Sequence, residues 1–193
     1  MSQAPPSGRS RRPDKCFHLL VEGRYAPEYW MHLRVPAGMK LNKLDDFLRA
    51  TWLECCGHLS AFRIDGRSYA VISMDGSDER NMNHAMEKVL YPDIKFYHEY
   101  DFGTTTELAL KVLAEEEFKV PAKSIKVLAR NSPPEFFCMN CQSPATQVCV
   151  ECSWEGEGEG LLCEKCTAQH ECDEEMFLPL VNSPRVGMCG YEG

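Results

Sequence analysis

The sequence predicts an α+β protein in which an antiparallel sheet is covered by one principal helix and followed by a small cysteine-organised module. Three observations carry this. Short aromatic and aliphatic runs, punctuated by Gly and Pro, recur between Phe17 and Ala129. One stretch repeats its apolar residues at helical spacing. Eight of the eleven cysteines fall between Cys138 and Cys189.

Residues 1–15 read as a disordered, weakly basic tail. Arg9, Arg11, Arg12 and Lys15 stand there against Asp14, and the apolar segment of a secretory signal does not follow. Phe17–Glu22 and Trp30–Val35 then read as strands, with Gly23 and Pro27 supplying turn chemistry between them. Pro36-Ala37-Gly38 ends the second. Leu41, Leu44, Phe47, Leu48 and Trp52 share one face of a helix, for which Asn42 is the expected cap and Asp45 an acid near its positive end. Ala61–Ile64 and Tyr69–Met74 form an expected hairpin through Asp65-Gly66. Asp75–Asn83 reads as a loop, followed by a short helix near His84–Leu90. Lys95–Phe102 and Glu107–Ala114 form a second expected antiparallel pair, in which Leu108, Leu110 and Val112 alternate. Ser124–Ala129 is a further strand, and Asn131-Ser132-Pro133-Pro134 marks a boundary. The expected organisation is thus a tail, an α+β domain over 16–131, and a cysteine-rich module with a closing segment over 132–193.

The module follows the pattern Cys138-x2-Cys141-x7-Cys149-x2-Cys152-x10-Cys163-x2-Cys166-x3-His170-x-Cys172. A Cys-x-x-Cys turn brings two thiolates to the Zn–S distance, and each pair supplies half of a tetrahedral site. Three pairs with His170 and Cys172 give eight ligands, enough for two structural Zn²⁺ ions per chain. Cys189 is a ninth candidate, an alternative to Cys172. Saturation by cysteine leaves no position for a catalytic water, so these sites read as structural. The alternating Glu-Gly run near residues 155–160 is too flexible and charged to pack and reads as a solvated loop between ligand pairs.

Charge narrows the partners. The net charge is −8, and residues 132–193 hold eleven acids against Lys165 and Arg185. Nucleic acid is disfavoured as a partner by this acidic balance. No apolar run approaches the length that spans a bilayer, so neither a membrane partner nor a membrane location is expected. Cysteine clustering of this kind suits a reducing compartment, and the expectation is a cytoplasmic protein.

The order of the pairs resembles the cross-brace of B-box-like zinc fingers, where alternate pairs share a metal. That resemblance implies Cys138, Cys141, Cys163 and Cys166 at one site and Cys149, Cys152, His170 and Cys172 at the other. A second resemblance lies upstream. Trp30 with Arg34-Val35-Pro36-Ala37, Phe47-Leu48-Arg49, Trp52 through Leu59 with Gly57-His58-Leu59, Phe62, and Tyr100-Asp101-Phe102-Gly103 together resemble the Ri-plasmid ORF-three-like family, also labelled transposon passenger proteins of TnpR-like type. The resemblance covers 17–115 and the closing Gly187–Gly193, and implies a small α+β fold with a link by name to mobile elements. Thr104-Thr105-Thr106-Glu107 departs from the acidic, Trp- and His-containing segment that follows in that family.

Three functional expectations follow. The first is a non-enzymatic zinc-binding adaptor for an unknown protein partner. The second is a nucleic-acid-associated protein of mobile-element origin. The third is an enzyme using Cys55 as nucleophile with His58, or a pocket near Asp101.

Overall fold

A computed structural model describes residues 14–72, 79–118, 124–155 and 160–193. Its elements in chain order are β1 (Asp14–Gly23), β2 (Trp30–Pro36), α1 (Leu41–Leu48), β3 (Ser60–Ile64), β4 (Arg67–Ala70), β5 (Arg80–Asn81), β6 (Lys95–Tyr100), β7 (Thr106–Phe118) and β8 (Lys126–Arg130). The module continues with β9 (Gln147–Cys149), α2 (Val150–Glu155), β10 (Leu161–Leu162), α3 (Glu164–Thr167) and β11 (Phe177–Pro179). The fold is α+β, a large antiparallel-rich sheet with one main helix and small cysteine-organised clusters.

Eight strands form the large sheet in the order β5-β4-β3-β6-β7-β1-β2-β8. Among the described residues of this sheet, only β4 and β5 pair parallel. β1 lies between β2 and β7, with Leu19 opposite Leu33 on one side and Val112 on the other. The Asp65-Gly66 turn joins β3 to β4 as expected, both residues having positive φ. Alternation sorts the faces. Phe17, Leu19, Val21, Met31, Leu33, Phe62, Phe96, Leu108 and Leu110 are buried in one core with Leu41, Leu44, Leu48 and Trp52 of the helix. His18, Leu20, Trp30 and His32 occupy the half-buried opposite face.

Several expectations shift. β1 begins at Asp14, inside the expected tail, because Lys15 pairs with Glu117 opposite and forms an ion pair with Glu115. The helical stripe is interrupted: α1 ends at Leu48, and Arg49–Leu53 continues as a π turn that still carries Trp52 into the core. Asn42 does not cap the helix. The backbone N–H groups of Leu41 and Asn42 donate to the carbonyls of His84 and Met82, which leaves no orphan donor for a side-chain cap. Asp45 turns inward and accepts from His98 Nε2 at 2.6 Å, both side chains buried. The short helix after the loop is one 3₁₀ turn, Met86–Lys88. Val71 and Ile72 leave the expected strand as exposed bend residues. Ser73, Met74 and residues 75–78 of the expected loop lie outside the described residues, as does most of the Glu-Gly run; the rest of that loop is described, and Arg80–Asn81 within it forms β5 instead.

The expected boundary is anchored to both sides. Asn131 Oδ1 accepts from the Trp30 backbone N–H at 3.1 Å, and its Nδ2 donates to Asn182 Oδ1 at 2.7 Å. Ser183 Oγ donates to the Trp52 carbonyl at 2.6 Å. The closing segment thus returns from the module to the large sheet. Among the described residues no helix is long and apolar enough to cross a membrane.

Candidate metal centres

The module is a three-stranded sheet, β10-β9-β11, with the cysteine pairs at its turns and helix starts. Cys138 opens a turn closed by Gln142 N–H donating to the Cys138 carbonyl at 2.9 Å, with Gln142 at positive φ. Cys163 precedes α3 and its carbonyl accepts from the N–H groups of Cys166 and Thr167. Both turns direct two sulfurs to one side. Cys149 ends β9 and Cys152 lies one helical turn later on α2. His170 follows α3, its ring centroid 5.6 Å from that of Phe177 in an edge-on arrangement.

These placements produce two convergent sets. The ligand atoms of Cys138, Cys141, Cys163 and Cys166 lie within 4.8 Å of one another, as do those of Cys149, Cys152, His170 and Cys172. Within the first, Cys141 Sγ is 3.6 Å from both Cys163 Sγ and Cys166 Sγ. Within the second, Cys152 Sγ is 3.3 Å from His170 Nε2 and 3.8 Å from Cys172 Sγ. A tetrahedron with Zn–S bonds of about 2.3 Å has sulfur–sulfur edges of about 3.8 Å, so the spacing fits a metal of that size. It is far beyond the ~2.05 Å of a disulfide. Among the described residues no cysteine is joined in a disulfide.

Electrostatics point the same way. Burial alone would raise the Cys138 thiol, but backbone N–H groups of Cys163, Asn140 and Cys141 outweigh it and bring it down to about 6. Hydrogen bonding from Ser143 lowers Cys141. Cys166 is pushed up to about 12, chiefly by Cys141 and then Cys138 and Cys163. Cys172 is raised by burial and then by Cys149. A packed thiol set cannot ionise fully on its own, because the first thiolates repel the next; a divalent cation removes that repulsion.

Cys189 lies with neither set. It sits 3.9 Å from Cys56 Sγ and 3.3 Å from His58 Nε2, in a third group with Cys55. The alternative of Cys189 in place of Cys172 is thereby corrected: the closing segment carries Cys189 to the large sheet, while Cys172 stays beside Cys152. Sequence reasoning missed this group, although setting aside the module ligands leaves Cys16, Cys55, Cys56 and Cys189, with His58 two residues after Cys56, as unspent ligands.

The enzyme expectation meets a different geometry. His58 Nε2 lies 2.9 Å from Cys56 Sγ. Cys55 instead faces Arg185 Nη2 at 3.5 Å and the Tyr100 hydroxyl at 3.9 Å. Asp101 is buried, with Oδ2 accepting from Arg185 Nη2 at 2.8 Å and Oδ1 from the Gly103 N–H at 3.1 Å. Burial works to raise its carboxyl, but Arg185 and the local backbone N–H groups hold it below the ordinary range. The arrangement commits Asp101 to holding Arg185.

No protein-family model matches the chain and no curated protein matches it. Neither comparison supports the plasmid-family resemblance or a mobile-element link. Among solved structures, the chain is similar to a protein of unknown function, MM3350, from Methanosarcina mazei Go1. The identity is 17% and the TM-score 0.55, over 61% of this chain and 70% of that one. This likeness concerns the fold alone.

Proposed function

We propose that this chain is a non-enzymatic zinc-binding adaptor, whose C-terminal module is held in shape by two structural Zn²⁺ ions and presents a surface to a protein partner. The observation that carries it is the convergence of four ligand atoms in each of two sets, Cys138/Cys141/Cys163/Cys166 and Cys149/Cys152/His170/Cys172. Each set is complete, so neither metal keeps a position for water or substrate. The module has little else to hold it: its apolar core is Val148, Leu161 and Leu178 with partly buried neighbours. Phe137, Met139 and Trp154 remain exposed there, Trp154 at 71%, which supports a binding role over a catalytic one.

The test has two arms. Metal analysis of chelator-free protein should find that Cys163→Ser and Cys172→Ser each lose about one zinc equivalent. Co-purification followed by mass spectrometry should recover a protein with the native chain and not with Trp154→Ala, whose zinc content is unchanged. Identical recovery from both would end the adaptor reading. Salt-sensitive binding to duplex DNA by the full chain would favour the nucleic-acid reading instead.

A further inference from the structure

We propose that Cys55, Cys56, His58 and Cys189 form a third zinc site, accessible and exchangeable, which fastens the closing segment to the end of the large sheet. It lies outside the module and does not rest on the module's sites. The four ligand atoms lie within 4.8 Å of one another. The edges Cys55–Cys56, Cys56–Cys189 and His58–Cys189 measure 3.6, 3.9 and 3.3 Å. The module's own edges, 3.6, 3.8 and 3.3 Å, are the same within a tenth or so. A fourth edge, Cys56 Sγ to His58 Nε2, is shorter at 2.9 Å, as for a thiol and an imidazole in direct hydrogen bond.

Backbone geometry and the surrounding groups add independent support. Cys189 holds φ at +48° and Gly57 at +82°, so both chain segments enter the left-handed region to turn their ligands inward. Such a conformation is uncommon for a residue with a side chain and is retained where the surroundings require it. The His58 ring offers Nε2 to the sulfurs and places Nδ1 3.5 Å from Asp101 Oδ1. Asp101 is held in turn by Arg185 at 2.8 Å, and the same Nη2 lies 3.5 Å from Cys55 Sγ. A carboxylate behind a ligating imidazole and a cation beside a ligating thiolate are the supports that orient metal ligands.

Three cysteines and a histidine suit Zn²⁺, whose borderline-soft character matches thiolate and imidazole donors. Accessibility separates this site from the module's cysteine set. Cys56 and Cys189 are exposed, whereas Cys138 and Cys163 are buried. Zinc held here is reached by solvent and by competing thiols first. Its loss frees Cys189 and loosens the closing segment while the sheet beneath persists.

The experiment uses the full chain, with zinc as the probe. Metal analysis of Cys56→Ser and Cys189→Ser should find each about one equivalent poorer than the native protein, with the module's zinc retained. A chromogenic chelator should release one equivalent in a fast phase that both variants lack. Titration with Co²⁺ supplies a readout independent of stability: a tetrahedral thiolate spectrum for this equivalent should vanish in Cys56→Ser while amide protection in β1 and β7 is unchanged. Native zinc content in both variants overturns the proposal, as does a Cys56–Cys189 disulfide in freshly prepared native protein. Cys163→Ser keeps the fast equivalent, so failure of this site and failure of the module sites are distinguishable.

Discussion

Arg185 is the side chain on which most of the closing segment depends. It is fully buried, yet carries a charge that Asp101 neutralises and that Thr106 Oγ1 and the Thr104 carbonyl help to solvate. Removing one partner of such a pair leaves the other buried and alone. Arg185→Met should therefore cost about 3–5 kcal/mol in thermal or denaturant unfolding, and Asp101→Asn with Arg185→Met together should cost less than the two singly summed. A double-mutant cycle without coupling would mean that the pair is solvated in solution. A second comparison concerns cysteines. Cys163→Ser should destabilise its part of the molecule by several kcal/mol of metal-linked folding energy. Cys55→Ser removes a ligand of the proposed third site from a sheet already folded, so it should cost less, on the order of 1–3 kcal/mol, with about one zinc equivalent lost. Melts of both variants beside their zinc content check the order.

At the level of the element, Gly160 just before β10 sits close against the backbone of Cys149. Gly160 has φ at +62°, and a Cβ there would stand 2.4 Å from the Cys149 carbonyl oxygen, which itself accepts no slack because Cys149 N–H donates to the Gly160 carbonyl at 2.8 Å. Gly160→Ala should displace Cys149 and cost the second set its zinc, while the Cys138 set keeps its own; metal analysis should read about one equivalent lost. The opposite result, full zinc with a normal melt, would mean that the turn relaxes cheaply. Strand-forming residues were legible because local alternation decides a face: Leu108, Leu110 and Val112 had to be buried together. Pairing was less so. β7 joins both β6 and β1, and the choice of β1 depends on partners about a hundred residues away that no local pattern names. The Asn42 cap failed for the same reason, since its donors found distant backbone carbonyls. The Cys-x-x-Cys pairs were legible because their spacing is local. The Cys55/Cys56/His58/Cys189 group was not, since Cys189 lies 131 residues from His58 and 133 from Cys56.

Across the whole molecule, two kinds of cohesion coexist. The large sheet buries a continuous apolar core from Phe17 to Val112. The module buries mainly its own cysteines, with Cys138, Cys149, Leu162 and Cys163 at the centre. Phe136 and Val186 touch both the main core and the module's small apolar cluster. So short a segment does not offset its chain entropy without metal. Chelator should abolish amide protection over 136–175 and spare β1, β2, β6 and β7, as measured by hydrogen exchange. Uniform loss throughout would mean that Phe136 and Val186 couple the two into a single cooperative unit.

The route of the chain also sets an order of events during synthesis. Asp101 and Trp52 leave the ribosome long before Ser183 and Arg185, which bind them, and the cysteine-rich module is made in between. Until those last residues arrive, the nascent sheet holds an acid without its counter-charge and a carbonyl without its donor. If the module takes up zinc as proposed, zinc supply during translation governs more than the module: a module that fails to fold delays the delivery of Arg185 and prolongs exposure of the unfinished end of the sheet to chaperones and proteases.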